Sequence, residues 1–231
     1  PQPINNLLEL LISLEDKDHK YDAGFLYQVT YADISHPLKA KTYALIKKLL
    51  QKEHIYSFLK LFYDAGILHE LFSNFRKVMH LLQFDGYHHY PVDIHSIKCI
   101  EALENIKEPF IKILFNMLSS EEKLLLKAVT LFHDTGKGRK QDHSEVGAKL
   151  IVPFVKRLGL DEDLIQRALF GVKGKEMDKT AKLFDVWANT GRSEDMEKGH
   201  GTTVNQFLDK LSLKKNFRFL DIGCGNCSAI C

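Results

Sequence analysis

The sequence has too few cysteines for a disulfide scaffold. There are four in 231 residues, with Cys99 alone and Cys224, Cys227 and Cys231 crowded at the end. That usage fits a reducing, cytosolic setting. An excess of one charge is also missing: 32 basic residues face 30 acidic ones, for a formal net charge of +2. Bulk charge therefore gives no case for nucleic-acid binding, although local patches stay open. No apolar run approaches the ~18 residues that a membrane-spanning helix needs, so no membrane partner is expected. The N-terminus lacks the basic-then-apolar layout of a signal peptide. The chain opens on Pro1 rather than Met, from which an excerpt of a longer protein is expected.

What is present is apolar residue in quantity, 45% of the chain. That is enough to bury a sizeable core in one large domain or two small ones. The expected fold class is mainly α. Residues 1–75 read as a helical support layer: Leu7, Leu8, Leu10, Leu11 and Leu14 recur at helical spacing, as do Ile46, Leu49, Leu50, Ile55, Phe58, Leu59 and Phe62. The stretch from Gln83 to Asp93, with Gly86 and Pro91 close together, predicts a loop. A helix follows, its buried face marked by Ile94, Ile97, Ile100, Leu103 and Ile106, with His95 beside that face.

Ser119 and Glu122 form a capping-box pattern at the start of a strongly apolar helix. Its last residues are expected to be His133 and Asp134, before Gly136 and Gly138 end it. The next helix, capped by Asp142 or Ser144, runs to Leu158 with Pro153 inside it, and a short one covers 161–170. The only strand signal lies at 217–222.

A charged pair at the end of so apolar a helix is a conflict between levels, and such conflicts cluster at functional sites. His133 and Asp134 together offer an imidazole and a carboxylate, and His95 on a neighbouring helix can complete one side of a divalent-metal site. A bound metal lowers the pKa of its water and stabilises charge on a phosphoryl oxygen. Lys137 and Arg139 follow at once and can meet a phosphate. His143 can bind a second metal or act as an acid or base. The alternative for His133 and Asp134 is a structural histidine and a cap at the helix end.

Three stretches carry a family resemblance: Tyr87-His88-His89-Tyr90-Pro91-Val92-Asp93-Ile94-His95-Ser96, then Leu131-Phe132-His133-Asp134-Thr135-Gly136-Lys137-Gly138-Arg139, then Asp142-His143-Ser144-Glu145-Val146-Gly147-Ala148. In this order they resemble the HD domain of bifunctional PII uridylyltransferase/uridylyl-removing enzymes, over about residues 1–170. The resemblance implies a helical bundle, with 76–170 as a truncated metal phosphohydrolase domain. It implies His95, His133 and Asp134 as metal ligands, with Mn or Mg as the metal. Lys137 and His143 become catalytic-site residues. The implied reaction is hydrolysis of the phosphodiester between UMP and a tyrosine of a PII signalling protein, which makes PII the partner and a nucleotide phosphodiester the substrate. The family pattern also has a last Asp ligand on a later helix. Here the resemblance stops near Lys173, with Asp178 or Asp185 as accidental substitutes. A ligand set without that Asp predicts weakened metal binding, and a catalytically inactive helical binding module is the alternative function.

Residues 171–231 read as a linker and a second, unrelated segment. Phe184-Asp185-Val186-Trp187-Ala188, Gly191-Arg192-Ser193-Glu194 and Phe219-Leu220-Asp221-Ile222-Gly223-Cys224-Gly225-Asn226 resemble the N-terminal part of a class I AdoMet-dependent methyltransferase. That implies the start of a Rossmann-like α/β fold, with Asp221, Gly223 and Gly225 at an AdoMet motif. One strand cannot form the parallel sheet this fold needs, so AdoMet is a cofactor only of a complete version. Cys224, Cys227 and Cys231 with His200 offer a zinc site as another reading. The expectation is a joined chain: most of an HD region, then a methyltransferase remnant.

Overall fold

The computed structural model describes residues 2–82, 90–139 and 143–166. They are helical, and the β content among them is one isolated bridge between Pro3 and Asp33. Four helices make the N-terminal layer: α1 (Ile4–Ser13), α2 (Ala23–Thr30), α3 (Ala40–Gln51) and α4 (Tyr56–Asp64). A short α5 (Leu68–Leu71) runs into a 3-10 turn at Ser73–Lys77. Then come α6 (Val92–Glu104), α7 (Pro109–Met117), α8 (Ser120–Phe132) and α9 (His143–Arg157). The expected strand at 217–222 and the whole 171–231 segment lie outside the described residues.

The spacing of apolar residues explains most of these elements. In α1, Ile4, Leu7, Leu8 and Leu11 form one buried stripe, and it packs on the stripe of α3 formed by Leu45, Ile46, Leu49 and Leu50. α8 starts on the capping box read from the sequence: Ser119 Oγ accepts from Glu122 N, and Ser119 N donates to the Glu122 carboxylate. Every residue from Leu124 to Phe132 is buried. A helix buried on all sides over this stretch must be central, and α8 packs against α3, α6 and α9. Its last residue, Phe132, sits in an aromatic cluster with Phe72, Phe75 and Phe154, at centroid separations of 4.7–5.9 Å. α7 was not among the helices read from the sequence. Glu108 caps it by accepting from Ile111 N, and Pro109 fills its first position.

Charged side chains tie the N-terminal layer to α6 and α8. Lys127 of α8 is only 3% exposed. Its ammonium donates to the carbonyls of Leu50, Lys52 and Glu53, at and just past the end of α3, where helical partners run out. Glu104, the last residue of α6, accepts from the Ile55 and Tyr56 backbone N–H groups at 2.6 and 2.8 Å, capping α4. Asp16 does the same for Glu53 and His54.

Burial pushes the Glu104 carboxyl up to about 7, against the two N–H donors and Lys127, which favour its ionised form. An unfolded Glu titrates near 4.5, so the folded protein holds this proton more tightly. The stability that Glu104 contributes is full below that value and is lost as pH rises through about 7. Glu104→Gln keeps an oxygen acceptor and cannot ionise. We expect urea unfolding of the parent chain to show stability falling by up to ~3 kcal/mol between the two values. The Gln variant should lack that decline, and an equal decline in both would contradict this account.

Candidate metal centre

The site forms where the first turn of α6 meets the end of α8. The chain entering α6 is held by Asp93, which is fully buried. Its carboxylate accepts from His80 N at 2.6 Å and Ile94 N at 2.8 Å. Val92 N donates to the Leu81 carbonyl. These bonds fix the register of the helix, so His95, one residue past its first three, faces inward with 16% of its side chain exposed.

At the other side the helical part of α8 ends at Phe132, slightly earlier than expected. His133 keeps helical dihedrals as the cap residue, and Asp134 lies in the turn that follows. Thr135 closes this turn: its N and Oγ1 both donate to the Phe132 carbonyl, at 3.1 and 2.8 Å. Two glycines shape what comes next. Gly138 has φ +73°, the left-handed region that glycine enters at no steric cost. A Cβ on Gly136 would lie 1.9 Å from the His143 carbonyl oxygen and 2.8 Å from Gly147 N. The start of α9 therefore rests directly on Gly136.

His133 Nε2 lies 3.4 Å from Asp134 Oδ2, and His95 Nε2 lies 3.8 Å from the same oxygen. The two imidazoles meet edge to face, 5.5 Å between centroids. Lys137 Nζ donates to Asp134 Oδ2 at 2.6 Å. His133 Nδ1 donates to the Thr130 carbonyl at 2.7 Å, which leaves Nε2 as the nitrogen directed at the cluster. Asp134 is 5% exposed. Burial by itself would raise its carboxyl, but His133 and Lys137 outweigh that and hold it well below the usual carboxylate range. Burial likewise would lower His133, and its contact with Asp134 more than reverses this, so its imidazole is raised. The electrostatics of the site favour positive charge beside an ionised carboxylate.

Of the residues read from the sequence, His95, His133, Asp134 and Lys137 are brought together. Arg139 instead turns back to the carbonyls of Thr135 and Lys137. His143 has an exposed side chain at the start of α9, and only its backbone reaches Gly136. Asp142, Asp178, Asp185, His200, Asp221, Gly223, Cys224, Gly225, Cys227 and Cys231 lie outside the described residues. One residue was missed. Cys99, buried one turn after His95, has its Sγ 3.6 Å from His95 Nε2. A ligand atom from each of His95, Cys99 and His133 falls within 4.8 Å of the others. The His95-to-Cys99 spacing of four on a helix was the available signal.

The donors fit a divalent cation: two imidazole nitrogens and one carboxylate converge, with burial enough to keep most water away. Comparison with known proteins agrees with that chemistry. A family model described as HD domain matches residues 92–213, just over half the chain. A bifunctional uridylyltransferase/uridylyl-removing enzyme of Bradyrhizobium diazoefficiens is 32% identical over 121 residues, 50% of this chain and 13% of that enzyme. One from Nitrobacter winogradskyi is 35% identical over 104 residues, 42% of this chain and 11% of that enzyme. The chain thus aligns to about an eighth of the length of these relatives. No solved structure matches it. The family match runs past residue 170, through Asp178 and Asp185. It covers most of the stretch that resembles a methyltransferase, and neither it nor these relatives give evidence for such a segment.

The packing of α9 on Gly136 generates a test of how the site is built. Gly136→Ala must push α9 away or move the turn that carries Asp134. We expect a loss of ~1–3 kcal/mol in denaturant unfolding, the usual range for overpacking, together with weaker metal binding by calorimetry. Unchanged stability and unchanged binding would show that α9 does not depend on this contact.

Proposed function

The chain belongs to the HD domain family, and on that premise we propose that it hydrolyses a phosphodiester with a divalent metal held by His95, His133 and Asp134. The observation that carries this reading is the convergence of both His Nε2 atoms on one buried carboxylate oxygen, 3.4 and 3.8 Å away. When bound, the metal supplies a water of lowered pKa and offsets charge on the phosphoryl oxygen. The residues around it do the rest.

The Thr130 carbonyl fixes the His133 ring through Nδ1 and so aims Nε2. Asp134 stays ionised at every pH near neutrality, because its neighbours hold its carboxyl low. Lys137 sits on the same oxygen that a metal would use. With a metal on that oxygen, its ammonium would instead offer positive charge to a phosphate oxygen. His143 stands at the start of the next helix, and in this reading it moves a proton to or from the reacting groups. A water oxygen bonds to phosphorus, and the bond from phosphorus to the alcohol oxygen of the leaving group breaks. The proton lost by water balances the one taken up by that leaving oxygen.

The names of the relatives, which describe uridylyl-removing enzymes, support a finer reading of the substrate. We propose a UMP ester on a tyrosine of a PII-type protein as substrate, and that protein as partner. A carboxylate beyond residue 166, for which Asp178 and Asp185 are the candidates, would complete the ligand set.

The test is a hydrolysis assay on the full 231-residue chain with Mn(II), Co(II) or Zn(II), using bis(4-nitrophenyl) phosphate and then uridylylated PII. We expect metal-dependent turnover that falls by more than about 100-fold in His133→Ala and Asp134→Ala, a larger loss than removal of an outer partner causes. Turnover that persists in both variants would place the chemistry elsewhere.

A further inference from the structure

We infer that Cys99 is a thiolate ligand of this metal centre and tilts it toward a thiophilic metal such as Zn(II), away from Mn(II) or Mg(II). The inference rests on the metal-site reading above, and it names the class of ion that the site selects. Three observations carry it. Cys99 is buried, at 3% exposure, on α6, which packs against α8. It follows His95 by one helical turn, so both side chains project to the same place. Its Sγ is 3.6 Å from His95 Nε2, and one ligand atom from each of His95, Cys99 and His133 lies within 4.8 Å of the others.

Donor chemistry sets the choice of ion. Two imidazoles and a thiolate suit Zn(II) and Co(II), whereas Mg(II) and Mn(II) prefer sets dominated by oxygen. On binding, the S–H bond breaks, an S–metal bond forms, and the proton leaves to solvent. No oxidant or reductant takes part.

Cobalt makes the sulfur visible. The full 231-residue chain is titrated with Co(II) under reducing conditions and followed by absorption. We expect visible d–d bands of bound Co(II) and a near-ultraviolet sulfur-to-cobalt charge-transfer band. Cys99→Ser should abolish the charge-transfer band, leave the far-ultraviolet circular dichroism unchanged, and weaken Zn(II) binding in a chelator competition by more than ~100-fold, beyond the effect of an outer partner. Cys99→Ala, which removes the donor without adding an oxygen, guards against a serine ligand and should behave likewise. Co(II) binding that depends on His133 and Asp134 but shows no charge-transfer band overturns the cysteine ligand and leaves the metal site standing. No Co(II) spectrum, with no Co(II) or Zn(II) binding, overturns both.

Discussion

Asp134 is a carboxylate at the end of a helix in which every residue from Leu124 to Phe132 is buried. A charge placed there is tolerated only with partners of opposite sign. Lys137 and His133 meet it, and His95 stands 3.8 Å away. The local chain follows from this requirement. Thr135 closes the turn, Gly138 turns left-handed, and Arg139 reaches back to the Thr135 carbonyl, so Lys137 is carried over the Asp134 oxygen. Gly136 then leaves room for α9 to begin. Removing a partner would strand a buried charge, which is the expensive failure for such a pair.

The other half of the site depends on α6, which is held near both ends by carboxylates. Asp93 pins its first turn through His80 N and Ile94 N. Glu104 ends it by capping α4 through Ile55 and Tyr56. Lys127 of α8 closes the open carbonyls of α3. The N-terminal layer is therefore more than apolar padding. Side-chain to backbone bonds set where α6 and α8 lie, and that placement brings His95 to His133. These are directional contacts at helix ends, where backbone groups would otherwise be unsatisfied.

Much of this was legible from residue order. The helices α1, α3, α6 and α8 follow from apolar spacing, and the Ser119–Glu122 capping box forms as read. The charged pair His133–Asp134 stood out because it contradicts the helix it ends, and its partner His95 was read from its place on a neighbouring helix and from the motif resemblance. α7 was passed over although Glu108 and Pro109 mark its start. Cys99 was passed over as solitary, since one cysteine has no pattern in sequence and gains meaning only when α8 brings His133 beside it. His143 was expected at the site on the same motif grounds, and its side chain is exposed while its carbonyl packs on Gly136. Long-range packing decides such cases, and it has no short-range signature.

The central claim is that Asp134 exchanges its ammonium partner for a metal ion shared with His95 and His133. Anomalous diffraction from crystals of the chain grown with Zn(II) tests it directly. The account predicts a peak bounded by His95 Nε2, His133 Nε2 and an Asp134 oxygen, with Lys137 Nζ moved off that oxygen. A map with no peak there and the Lys137–Asp134 pair intact at 2.6 Å would contradict it.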